Sequence, residues 1–158
     1  MNNHKFSHVD ESGRVKMVDV GDKDTQERYA VAQGKVFASC ETLKMISNNE
    51  HKKGDVLTVA HIAGIQAAKK TAELIPLCHP LLLNSVTLSF CVESDHILVE
   101  CTVKVNAKTG VEMEALTGAC TACLTIYDMC KAVDKRMVLG DIRVIEKFGG
   151  RSGHFVHP

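Results

Sequence analysis

GVEMEALTGACTACLTIYDMCKAVDK, residues Gly110–Lys135, carries two periodicities at once. Leu116, Ala119, Cys120, Cys123, Tyr127 and Cys130, with Ile126 and Val133, recur at the three- and four-residue spacing of a buried helical face. Glu114, Thr117, Thr121, Thr125, Asp128, Lys131 and Lys135 form a second, polar stripe along one side. Gly118, Ala119, Cys120 and Ala122 are small enough to let another backbone approach. The stretch therefore predicts a long helix that packs on a sheet and on a neighbour together.

Immediately upstream, NSVTLSFCVE and HILVECTVKVN alternate apolar and polar residues on either side of Ser94-Asp95, which predicts a β-hairpin. Pairing Glu93 with His96 sets Phe90 opposite Val99 and Leu88 opposite Cys101, and leaves Cys91 on the other face. Downstream, DIRVIEK (141–147) predicts a last strand. Further upstream, YAVAQGKVFA (29–38) suits a strand with Gly34 at a bulge or close approach, and Ser39 caps a helix through Asn48. Asp55 caps a second helix that runs to Pro76, where Pro76-Leu77-Cys78-His79-Pro80 forms a rigid loop. The order β, α, α, β, β, α, β matches an α+β, ferredoxin-like sandwich: an antiparallel sheet with helices packed on one face and an extra helix in the first connection.

The 158 residues suit one domain, 1–158, with an extended N-terminal arm over 1–28 and a Gly-rich tail over 148–158. Lys+Arg and Asp+Glu are equal at 19, so nucleic acid or an anionic membrane is not an expected partner without a local basic patch. No run has the length of a signal peptide or a bilayer span, which makes the cytoplasm the expected location. The seven cysteines, an odd number in apolar contexts, read as reduced core thiols. Cys120 and Cys123 have redox or zinc spacing, but they fall mid-helix with no second ligand pair.

Asp128 and Lys131 stand three residues apart on the polar stripe, where each tunes the other's pKa. Such a pair is ordinarily a surface ion pair, yet this one sits on a helix otherwise full of core residues. Glu112 and Glu114 open the helix, where negative charge suits its dipole and where a carboxylate can also accept the paired N–H donors of a guanine-like ring. His79, held between prolines, suits acid/base or hydrogen-bonding work near neutral pH. Lys23, Arg28, Lys53, Lys69, Lys70, Lys108 and Arg151 are scattered cations, individually unremarkable.

The same stretch, with KKGDVLTVAHIAGIQAAKKTAELIPLCHPL upstream, closely resembles the MoaC family of molybdenum-cofactor biosynthesis, from Met17-Val18-Asp19-Val20 through Gly149-Gly150-Arg151-Ser152-Gly153. The resemblance implies a ferredoxin-like subunit in a hexamer built as a trimer of dimers. It implies conversion of 3′,8-cyclo-7,8-dihydroguanosine 5′-triphosphate to cyclic pyranopterin phosphate with release of pyrophosphate, a lyase reaction without net redox change. Catalysis would fall on Asp128 and Lys131, and substrate binding on Leu77, Cys78, His79, Met113, Glu114 and Glu112, with Lys53, Lys69, Lys23 and Arg28 around the pocket. No cofactor is required and no metal site is expected, although Mg²⁺ could arrive with the triphosphate. A non-catalytic nucleotide-binding regulatory module of the same fold is the alternative.

Fourteen residues separate Glu114 from Asp128, or roughly 21 Å along a continuous helix. Either the helix breaks near Gly118, or one pocket takes the Glu114 end from one subunit and the Asp128 end from another. The small-residue waist, read as the seam of a symmetric dimer, favours the second.

Overall fold

The computed structural model describes residues 7–48, 55–150 and 153–158. Strands β1 (Gln26–Phe37), β2 (Ser85–Val92), β3 (His96–Ala107), β4 (Val138–Phe148) and β5 (Phe155–Val156) form one sheet in the order β2-β3-β1-β4-β5. Every pairing is antiparallel. Helices α1 (Cys40–Ser47), α2 (Val56–Lys69), the single-turn α3 (Thr71–Leu74) and α4 (Glu112–Cys130) accompany it. This is the ferredoxin-like α+β arrangement, with α1 and the single-turn α3 flanking the crossover helix α2 in the first connection.

The hairpin register follows from burial of one face: Phe90 lies opposite Val99 and Leu88 opposite Cys101, as the alternation requires. Ile97, Val99, Cys101 and Val103 are fully buried beneath Ala119, Ala122, Cys123 and Ile126 of α4 in a common core. Cys91 points away, and all seven cysteines are free. In β1, Ala30, Ala32 and Val36 face the same core. Gly34 performs both of its expected roles. Pairing with β4 shifts register between Gln33 and Lys35, and a Cβ on Gly34 would stand 3.0 Å from Cys123 Sγ.

Both predicted N-caps are in place. Ser39 accepts from Thr42 N at the start of α1, and Asp55 accepts from Thr58 N at 3.0 Å and Thr58 Oγ1 at 2.6 Å at the start of α2. Several boundaries differ from the sequence reading. β1 begins at Gln26, inside the segment read as arm, and β5 pairs Phe155 and Val156 of the tail with β4. The second helix does not run unbroken to Pro76: Lys70 leaves helical geometry at φ −109°, and the Thr71 hydroxyl donates back to Ala68 O at 3.0 Å. That bond occupies a carbonyl the break leaves free. Asp141, at φ +51°, absorbs the irregularity that lets β4 begin at Val138 rather than at Asp141.

α4 is continuous from Glu112 to Cys130, shorter than Gly110–Lys135, and it does not break at Gly118. Val133 is half exposed, because the helix has ended before it. The thin waist is filled from within the chain. A Cβ on Gly118 would stand 2.6 Å from Cys101 Sγ and 3.2 Å from Gly64 O of α2. Within the chain, the close neighbour of Gly118 is therefore α2.

Candidate active site

A cleft of about 890 Å³ opens where α4 begins. Its floor is the first turn of α4, one wall is the Pro76–His79 loop, and Lys147 of β4 faces them. Val15, Val18, Val20 and Lys23 of the N-terminal segment close the far side. Lys108 fastens that segment by donating to Gly21 O at 2.6 Å, and Asp19 stabilises its turn by accepting from Gly21 N at 2.8 Å. The volume lies within the range of small-molecule sites.

Seven residues singled out from the sequence line this cleft: Lys23, Leu77, Cys78, His79, Glu112, Met113 and Glu114. The two carboxylates differ in environment. Glu112 is partly exposed, and its Oε1 accepts from Lys147 Nζ at 2.8 Å. Glu114 is 4% exposed. Burial pushes its carboxyl above the usual carboxylate range, opposed by its own backbone N–H and assisted by the charge of Glu112. Burial, and then the charge of Glu114, raises the Cys78 thiol. Lys147 carried no signal in the sequence reading. Strict alternation from Val144 would place it on the other face, but the bulge opposite Val31 and Ala32 pairs it with the buried Ala30, where a lysine needs a polar partner.

The remaining cations are placed differently. Lys69 does not line the main cleft; with Thr71 and Leu81 it borders a smaller cavity of about 100 Å³, which Glu114 also lines. Arg28 lies buried under Gly149 and Gly150 with its Nε donating to Ala107 O at 3.0 Å, and it does not line the cleft. Gly149 and Gly150 both have positive φ, and a Cβ on Gly149 would approach Arg28 Cγ to 2.9 Å, so the close passage of the chain depends on glycine there. Lys53 lies outside the described residues.

Asp128 and Lys131 occupy the opposite end of α4. Lys131 Nζ donates to Asp128 Oδ1 at 2.6 Å, and the bond and charge of Asp128 raise the Lys131 ammonium above the ordinary lysine value. Within a single chain the pair is exposed, at 53% and 64% of the side chains, and neither residue lines the main cleft. The helix turns this flank outward. Among the described residues, no group of three or more His, Cys, Asp or Glu side chains is arranged to hold a metal ion, and no helix is long and apolar enough to cross a membrane.

The sequence profile of the MoaC family matches residues 17–150, which takes in every residue of the cleft except those before Met17. The chain belongs to the MoaC family. Two relatives from Clostridium perfringens, of strains SM101 / Type A and 13 / Type A, are each 53% identical to it over 154 residues, covering 96% of this chain and 98% of the relative. Both carry the name cyclic pyranopterin monophosphate synthase.

Proposed function

We propose that this MoaC-family chain is a cyclic pyranopterin monophosphate synthase of molybdenum cofactor biosynthesis. It would convert 3′,8-cyclo-7,8-dihydroguanosine 5′-triphosphate to cyclic pyranopterin phosphate and pyrophosphate. The observation that carries this reading is the convergence of the Leu77–His79 loop, the Glu112–Glu114 turn, Lys23 and Lys147 on one nucleotide-sized cleft. Glu112, held by Lys147, accepts from the N–H edge of the guanine-derived ring, and the buried Glu114 carboxyl grips the ring beside it. Lys23 and its cationic neighbours neutralise the triphosphate.

The ring rearrangement needs proton transfers at ring carbons and nitrogens, which Lys131 held by Asp128 would supply, with His79 within the cleft. Ring closure on phosphate forms a bond from a substrate hydroxyl oxygen to the α-phosphorus. The bond to the bridging oxygen breaks and pyrophosphate leaves, which is the chemistry of a phosphorus–oxygen lyase. Mg²⁺ would enter with the triphosphate and share its charge. Since α4 is unbroken, its two ends stand too far apart to meet on one ring system. The complete site would therefore join the cleft of one subunit to the Asp128–Lys131 end of another, in a hexamer arranged as a trimer of dimers in the cytoplasm.

Incubating the protein with the cyclic nucleotide and measuring pyrophosphate and the cyclic phosphate product tests this. Equal release of both is expected. Tight binding without pyrophosphate would favour a regulatory nucleotide-binding module.

A further inference from the structure

The turn that follows α4 presents an uneven distribution of burial. Of Lys131 to Arg136, only Asp134 is buried, at 9% exposure. Its carboxylate reaches across to the start of α1. Oδ2 accepts from Ser39 N at 2.9 Å and from Thr42 Oγ1 at 3.2 Å, while Oδ1 accepts from Arg136 N at 3.0 Å. Its own backbone N–H and that of Val133 both donate to Cys130 O, at 3.0 and 2.9 Å, and Lys131 N donates to Tyr127 O at 2.8 Å.

Helices commonly stop at a glycine in the left-handed region, whose N–H groups close the last carbonyls. α4 has no such residue: among the described residues the positive φ values fall at Gly13, Asp141, Gly149, Gly150 and Gly153. A carboxylate just beyond a helix C-terminus is unfavourable for that helix's dipole, but Asp134 lies at the N-terminus of α1, where negative charge and an unpaired N–H are both served. Backbone N–H groups close the end of α4, and the Asp134 carboxylate ties that closing turn to a second helix.

We propose that Asp134 is a positioning residue for the Lys131–Asp128 pair, fixing the last turn of α4 by anchoring it to the N-terminus of α1. The proposal rests on the reading that Lys131 acts on substrate. Lys131 is the first residue beyond the helix, so its direction depends on whether that turn is closed. Without the anchor, the end of α4 frays and the ammonium is no longer held against Asp128.

The test uses the full-length protein carrying Asp134→Ala and, as a milder change, Thr42→Val, which removes one of the three donors. Turnover of the cyclic nucleotide is measured below the unfolding transition, with folding checked by circular dichroism. In parallel, the lysines are reductively methylated with ¹³C and the Lys131 signal, assigned by its loss in Lys131→Arg, is titrated. Asp134→Ala is expected to lower kcat by about ten- to a hundredfold, the scale of an ångström-sized misplacement, with little change in KM. The Lys131 titration should fall toward the ordinary lysine value, and Thr42→Val should do both to a smaller degree. A lower unfolding temperature with kcat and the Lys131 titration unchanged would overturn the proposal. Should Asp134→Ala not fold, Thr42→Val decides by the same two readouts. Should the wild-type protein release no pyrophosphate, the functional reading fails, and the Lys131 titration alone still decides the anchoring.

Discussion

Replacing Gly118 by alanine sets two effects against each other at the waist of α4. In a helix interior alanine is favoured over glycine by about 1 kcal/mol, so an exposed site would gain stability. Here the new methyl group would stand 2.6 Å from Cys101 Sγ and 3.2 Å from Gly64 O, and 3.6 Å from Ala68 Cβ. Cys101 is fully buried on β3, and Gly64 O belongs to the backbone of α2, so neither atom can withdraw without moving an element. Overpacking of this kind costs about 1–3 kcal/mol, which exceeds or cancels the propensity gain. The expected net loss is about 0–2 kcal/mol, a fall in unfolding temperature of up to roughly 8 °C for a chain of this size. Thermal unfolding by circular dichroism at fixed protein concentration measures it. Removing Sγ with Cys101→Ala in the same chain should recover part of the loss, giving a coupling of at least about 0.5 kcal/mol in a double-mutant cycle. A Gly118→Ala protein as stable as wild type, with no coupling to Cys101, would refute the close approach of α4, α2 and β3.

Three further outcomes follow from the site. Glu114→Gln, which removes a carboxyl that burial holds above the usual carboxylate range, should stabilise the protein at neutral pH while abolishing turnover. Because the native carboxyl is raised, the charged form opposes folding above that raised value, so the advantage of glutamine should shrink as pH falls through it; a gain independent of pH would contradict the assignment. Asp134 is lowered by its bonds to Ser39, Arg136 and Thr42, so its contribution is present above the unfolded aspartate value and lost as pH falls through the native one. Asp134→Asn should cost about 1–3 kcal/mol in urea unfolding at pH 7, with the difference fading in acid. Lys147→Ala removes a charge-assisted partner of Glu112 worth about 1.5–3 kcal/mol, so KM for the cyclic nucleotide should rise about tenfold or more; an unchanged KM would remove Lys147 from the site.

The sheet was legible because the hairpin alternation permits one register: a slip by one residue would turn Leu88, Phe90, Val99 and Cys101 outward. Ser39 and Asp55 marked two helix starts through their own chemistry. The break at Lys70 was not legible, since nothing in AAKKTAELI forbids a continuous helix and only packing makes the Thr71 hydroxyl bond worthwhile. Most of the cleft could be collected from the sequence because Leu77–His79 and Glu112–Glu114 form compact local motifs. Lys147 could not, because its role depends on β4 lying beside the start of α4. The waist was read correctly as a close approach: small residues state that a backbone comes near, and at Gly118 that backbone is Gly64 of the same chain. Sharing of the site between subunits consequently rests on the unbroken length of α4 alone.

That sharing is tested most directly by mixing two inactive proteins, Glu114→Ala and Asp128→Ala, under conditions where subunits exchange, and measuring pyrophosphate release from the cyclic nucleotide. If each site takes Glu114 from one subunit and Asp128 from its partner, every mixed dimer holds one intact site, and random exchange should restore about a quarter of the wild-type rate. No recovery, with exchange demonstrated by mass spectrometry, would place both ends of α4 in separate roles and contradict the shared site.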